Sequence, residues 1–313
     1  MPAMNEKIAV VGAGLIGRAW AIVFARAGCS VAIYDALPEA LANCRKLLHE
    51  NISDLAQQGL ISETPEVVLA RISTAGSLAE ALQGAALVQE NVKETVEVKR
   101  AIFAEMDKLA GPDTILTSST SWIPTSDFSA ELPGRHRMLV AHPVNPPYLV
   151  PLVELAPAPW TAPEVVERAR DIYARAGQSP VLLKKEITGF LLNRIQGAVL
   201  NEALNLYENG YASVADLDTV LKDGLGLRWS FMGPFETIDL NAPDGVLDYA
   251  KRYGHTYRDV AKTQLPNAWQ AETLQKIENE RREVLSAGQL EARARWRDNR
   301  LMALVGHKRK QPV

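Results

Sequence analysis

With 313 residues the chain is long enough for two domains of roughly 150 residues each. Its 47% hydrophobic and 23% charged residues are those of an ordinary globular protein, and a net charge of −3 argues against nucleic acid or a membrane surface as a partner. Cys29 and Cys44 form no CxxC pair and lie near no histidine cluster, so neither a disulfide framework nor a metal site is expected. No secretory-signal pattern opens the sequence, and no apolar run reaches the roughly 18 residues of a membrane span, so the expected location is cytoplasmic.

Residues 7–11 (KIAVV) read as a short apolar strand. A glycine-rich turn follows, then an apolar-periodic helix over 15–27 that Gly28 ends, then a strand over 30–34 with Asp35 at its end. Residues 38–58 carry a helical pattern and 59–77 a looser, polar one. Strands are expected at 85–89, 114–117, 138–141, 152–155 and 180–183, with a helix over 94–110. Strands alternating with helices imply an α/β fold, a Rossmann-type, doubly wound and mostly parallel sheet. The pattern changes near Ile187: 189–210 reads as one long helix, with helical periodicity beyond it. The expected organisation is an α/β domain over 1–188, followed by a smaller all-helical domain over 189–313.

The first turn is Gly12-Ala13-Gly14-Leu15-Ile16-Gly17, a GxGxxG that follows a strand and opens a helix. Gly12 permits the tight turn, Gly14 lets the backbone approach a pyrophosphate, and Gly17 lets helix and strand pack closely. The diphosphate would rest on the free N–H groups at the helix start, beside Leu15 and Ile16. Asp35 stands where a ribose-binding acid is expected. It would repel a 2′-phosphate, and Ala36 and Leu37 offer no cation, which favours NAD over NADP and over FAD.

Three strand ends carry polar groups that packing alone does not explain: Ser118-Ser119-Thr120-Ser121, His142 and Glu154. Ligands of an open α/β sheet bind beyond such ends. The stretches VVGAGLIGRAWA, SSTSWIP, VAHPVNPPYLVPLVEL, GFLLNR and GLGLRWSFMGPFET, spread over residues 10–240, resemble the 3-hydroxyacyl-CoA dehydrogenase family. The likeness is greatest to its lambda-crystallin branch, whose activity is L-gulonate 3-dehydrogenase. The resemblance implies an NAD-dependent oxidoreductase acting on a CH–OH group, a helical second domain and a homodimer. It further implies that His142 is the general acid/base, Glu154 its paired carboxylate, Ser121 and Asn193 the groups on the substrate side, and Glu94 and Lys99 contacts to the nicotinamide end of the cofactor. The residue types suit the chemistry. An imidazole can remove a hydroxyl proton near neutral pH, a carboxylate can fix its tautomer, and hydroxyl and amide donors can stabilise the oxygen as charge develops.

Acyl-CoA and a free hydroxy acid compete as substrates. CoA carries about four negative charges and calls for cations, yet between Lys46 and Lys93 the only lysine or arginine is Arg71. A free carboxylate calls for one well-placed arginine, and Arg228 in GLGLRWSFMGPFE is the candidate. A small free 3-hydroxy acid, L-gulonate first, is therefore expected. The alternatives are an L-3-hydroxyacyl-CoA, a carnitine-like acid caged by Trp122, Tyr148 and Trp229, or a crystallin-like structural protein that binds NAD without turnover.

Overall fold

The computed structural model describes residues 4–267 and 269–311. Among these the sheet has eight strands: β1 (Lys7–Val11), β2 (Ser30–Tyr34), β3 (Ile72–Thr74), β4 (Leu87–Glu90), β5 (Ile115–Ser118), β6 (Met138–Pro143), β7 (Leu152–Pro157) and β8 (Ser179–Leu182), in the order β3-β2-β1-β4-β5-β6-β7-β8. All neighbours are parallel except β6 and β7. The central strands are almost uniformly buried because helices cover both faces. On one face Trp20 and Phe24 of the helix Leu15–Arg26 stack on each other and meet Tyr173 of the helix Pro163–Arg175. On the other, Phe103 of the helix Val96–Leu109 packs on Phe128.

The strand order reverses between β1 and β4, and the crevice beyond the carboxyl ends of these strands is where such sheets take ligands. The reversal of β7 has a simple cause. A parallel crossover needs roughly a dozen residues or more, and the connection 144–151 is too short for one. β7 therefore returns as a hairpin, which sets His142 directly opposite Glu154 in the register.

Two local expectations change. The loose stretch 59–77 contains the helix Pro65–Ala70 and β3, an edge strand of Ile-Ser-Thr in which only Ile72 is buried. With one apolar residue to bury, it carries no periodicity to read. The helix expected over 38–58 is divided at Asn43 into Pro38–Ala42 and Cys44–Gln57. Both cysteines are buried and free, and burial pushes the Cys29 thiol up to about 12. No helix among the described residues is long and apolar enough to cross a membrane.

The chain divides into two compact units, Met1–Asn193 with Arg295–Val313, and Arg194–Ala294. Residues 295–313, expected in the helical domain, thus cluster with the first unit. Met302 is the reason: it is 3% exposed, within the apolar core that also holds Leu55 and Leu60. The second unit is helical throughout its described residues, the longest element wholly within it being Gly245–Ala261. Asn201 and Asn205 both donate to the Leu265 carbonyl, at 2.8 and 2.5 Å, and so hold the segment before the helix Ala271–Val284.

Met302→Ala is expected to destabilise the protein by about 2–5 kcal/mol, the range for emptying a buried methionine site. Urea unfolding followed by tryptophan fluorescence measures it, and a loss below ~0.5 kcal/mol would mean that the C-terminal helix adds nothing to this core.

Candidate active site

The glycine turn sits at the carboxyl end of β1, and each glycine answers a different constraint. Gly12 has φ of 100°, and a Cβ there would lie 2.7 Å from the Asn91 carbonyl oxygen. A Cβ on Gly17 would lie 1.8 Å from the Gly12 oxygen. Gly14 is different, since a Cβ there meets no protein atom within 4 Å. The protein itself does not require glycine at 14, and the open space there leaves room for a diphosphate to approach the backbone. Gly14 also precedes the helix Leu15–Arg26, whose first N–H groups lack intrahelical partners. Exposed Leu15 and half-buried Ile16 open that helix. Asp35, at the end of β2, accepts from the Ala13 N–H (2.7 Å) through Oδ2 and from the Leu37 N–H (2.9 Å) through Oδ1. It braces the turn, and each oxygen keeps a lone pair for a ribose hydroxyl. These residues fit a dinucleotide.

His142 and Glu154 form the centre of the second cluster. His142 Nδ1 lies 2.9 Å from Glu154 Oε2, and both side chains are buried. Oε1 of Glu154 accepts from the Leu191 N–H (2.8 Å) and the Leu192 N–H (2.9 Å), at the start of the helix Leu192–Glu208. Burial alone would raise the Glu154 pKa. The His142 hydrogen bond and the two amides outweigh it and hold the carboxyl below its ordinary value. An ionised Glu154 can only accept, so Nδ1 carries the proton and Nε2 of the neutral ring presents a lone pair.

Phe190 fixes the imidazole from the side. Its ring lies 5.4 Å from the His142 ring, its side chain is fully buried, and its backbone has φ of 50° next to Gly189 at 77°. A left-handed phenylalanine is uncommon and is held by its packing. Asn193, three residues on, donates from Nδ2 to the Ser121 carbonyl at 2.8 Å. One amide N–H remains available, and Ser121 Oγ has no protein partner among the described residues.

Beneath Ser121 lies a charged network. Lys99 is 1% exposed, with its ammonium 3.1 Å from both Glu90 oxygens and 3.5 Å from Glu94 Oε2. Glu90 Oε2 accepts from Ser118 Oγ (2.5 Å), and Oε1 from the Val92 N–H (2.6 Å). Glu94 Oε1 accepts from Thr120 Oγ1 (2.5 Å) and from the Ser121 N–H (2.8 Å). Burial drives the Glu90 carboxyl upward despite Lys99 and Ser118. The structure therefore brings Ser121, Asn193, His142, Glu154 and Glu94 into one hydrogen-bonded neighbourhood, with Lys99 below it as the counter-ion of Glu90. Glu90 and Phe190 escape a sequence reading. The visible traces are a glutamate closing the buried strand LVQE and a Gly-Phe pair just before a helix.

Arg228 belongs to the second unit, in the helix Gly226–Trp229. It is half-buried, and its Nε has no hydrogen-bond partner among the described residues. Tyr148 is buried, with its phenol pushed up to about 12 by that burial, so it offers no open aromatic face to a cation.

Comparison with known proteins agrees with this geometry. Residues 7–187 match the NAD-binding domain of 3-hydroxyacyl-CoA dehydrogenase, and 189–283 match its C-terminal domain. The chain belongs to the 3-hydroxyacyl-CoA dehydrogenase family. It is 45% identical over 310 residues to a lambda-crystallin homolog of Bos taurus, covering 97% of this chain and 96% of that one. It is 38% identical over 240 residues to the L-carnitine dehydrogenase of Streptomyces griseus, covering 77% and 71%. Among solved structures it resembles 5-formyl-3-hydroxy-2-methylpyridine-4-carboxylic acid 5-dehydrogenase, an NAD⁺-dependent dismutase, with a TM-score of 0.73 and 29% identity over 91% of this chain and 98% of that one. The chain is an NAD-dependent oxidoreductase acting on CH–OH groups.

Two tests follow from the packing. Gly17→Ala is expected to lose about 1–3 kcal/mol of stability, the usual cost of overpacking. Gly14→Ala should stay within ~0.5 kcal/mol of wild type yet bind NAD at least tenfold more weakly. Unfolding curves and NAD titration separate the two, and a Gly14→Ala protein with unaltered NAD affinity would remove the diphosphate from this turn. Lys99→Met, which strands the buried Glu90, is expected to lose about 3–5 kcal/mol. Adding Glu90→Gln should recover part of that loss, and a strictly additive double mutant would deny the coupling.

Proposed function

We infer that the protein oxidises a small free 3-hydroxy acid at C3, with L-gulonate the leading candidate, and that His142 is its acid/base. The observation that carries this reading is the 2.9 Å contact from an ionised Glu154 to His142 Nδ1, which leaves Nε2 as the basic atom. His142 Nε2 takes the hydroxyl proton, and Glu154 stabilises the imidazolium that results. Ser121 Oγ and the remaining Asn193 N–H orient the reacting oxygen. The glycine turn and Asp35 hold the pyrophosphate and ribose ends of NAD, with Glu94 beside its nicotinamide end. Lys99 acts through Glu90 and Glu94 by keeping the Ser121 loop in place. Bound NAD supplies the acceptor for the electron pair and hydrogen leaving the substrate carbon.

The preference for a free acid over an acyl-CoA has two supports. Arg71, the only lysine or arginine between Lys46 and Lys93, is engaged by Glu63 through two 2.6 Å hydrogen bonds, which leaves this stretch no open cation for the CoA phosphates. Arg228 has an unmatched donor and suits a carboxylate. Exposed Phe235, Leu247 and Phe231 of the second unit support a homodimer formed through it.

NADH formation at 340 nm with L-gulonate, L-carnitine and L-3-hydroxybutyryl-CoA, run in parallel, is the direct test. Turnover of gulonate alone is expected. Turnover of the CoA ester alone would refute the free-acid reading, and L-carnitine alone would move the substrate to a zwitterionic acid. Glu154→Gln should lower kcat about 10²–10⁴-fold with NAD affinity unchanged. Arg228→Met should raise the KM for the acid about tenfold or more at similar kcat, and an unchanged KM would strip Arg228 of this role.

A further inference from the structure

The last turn of the helix Leu15–Arg26 borders a cavity of about 400 Å³, and none of the residues lining it belongs to the site described above. The glycine turn lies at the other end of this helix, about 18 Å away at 1.5 Å per residue. The cavity wall carries four arginines, Arg26, Arg71, Arg175 and Arg309, against one carboxylate, Glu63. Two of the arginines are neutralised. Arg71 pairs with Glu63 at 2.6 Å, and Arg175 with Glu6 (2.5 Å) and Asp171 (2.7 Å).

Arg26 and Arg309 have no carboxylate within ion-pair distance among the described residues. Arg26 donates to the Tyr148 carbonyl (2.7 Å), and Arg309 to the Leu60 carbonyl (3.0 Å). A guanidinium has five N–H donors, so most of theirs remain open. Burial, and then the neighbouring Arg309, lower the Arg26 pKa to about 10, which leaves it charged at neutral pH. Complementing helix carboxyl ends accounts for Arg26 and Arg175, each in the last turn of its helix. Arg309 also follows the end of a helix, Leu290–Lys308, but its guanidinium reaches away to the Leu60 carbonyl and stands beside another cation, which its own helix end does not require. Two like charges held together in a partly desolvated wall favour an anion between them.

We propose that this cavity binds a phosphorylated small molecule, with Arg26 and Arg309 taking the phosphate oxygens. A phosphate group is a dianion near neutral pH and accepts the paired donors of guanidinium groups. It fills only a small part of about 400 Å³, which leaves room for an organic body. Ser62, also in the wall, adds a hydroxyl donor.

The test is calorimetric titration of the full chain with inorganic phosphate and, separately, glucose 6-phosphate. Saturating NAD⁺ occupies the glycine turn, and NaCl keeps the ionic strength constant. Saturable binding is expected, with the sugar phosphate at least as tight as phosphate. Arg309→Met should weaken it tenfold or more while leaving kcat of the dehydrogenase unchanged. Lys310→Met removes the same charge outside the cavity wall and should shift affinity less than twofold. Absence of saturable binding to wild type overturns the site. Equal losses in the two variants overturn it too, since they would mean diffuse attraction to a basic terminus, and binding of phosphate without the sugar phosphate rejects an organic ligand.

Discussion

The Glu154 carboxylate commits its two oxygens to different elements. Oε2 holds Nδ1 of His142 across the β6–β7 pair, and Oε1 receives two backbone N–H groups at 191 and 192. One buried charge thus fixes the imidazole and the entry to a long helix together. The next residue in that helix, Asn193, reaches the Ser121 carbonyl. Three chain segments far apart in sequence become interdependent through a single ionised group. Its charge survives burial only because three donors meet it, since an unpaired carboxylate there would protonate and release all three contacts.

A second buried carboxylate, Glu90, is handled differently. It is met by an ammonium, a hydroxyl and the Val92 N–H, yet its deeper burial still moves its pKa upward. Glu154 is held charged beside the His142 ring, whereas Glu90 anchors Lys99 beneath the loop that carries Ser121. The two carboxylates flank the same neighbourhood, one tuned toward ionisation and one away from it. Divergent environments of this kind separate groups that answer protons from groups that only hold position.

Much of the first unit was legible in the sequence because its signals are local. KIAVV, the glycine turn and SVAIY declare a βαβ unit by composition alone, and β1 and β2 fall on the expected residues. Resemblance supplied the His142–Glu154 pairing, and the short connection 144–151 is the physical reason for it. The unreadable parts depend on contacts that composition does not encode. β3 is an edge strand with one buried residue. Phe190 acts through an unusual backbone angle, and Glu90 through a lysine nine residues away. Nothing local in the sequence tells that Arg309 lies against Leu60.

The place of Met302 has a consequence for how the protein is made. The second unit is an insertion, and the first unit is built from two separated stretches of chain. During synthesis the early stretch emerges with the sheet and glycine turn but without the methionine that closes part of its core. Domains ordinarily fold in order as they leave the ribosome. Here the order is broken, because the inserted unit leaves the ribosome whole before the earlier one can finish. Until residue 302 emerges, the apolar core that it shares with Leu55 and Leu60 is incomplete. During that interval the growing chain carries a core from which one member is still missing.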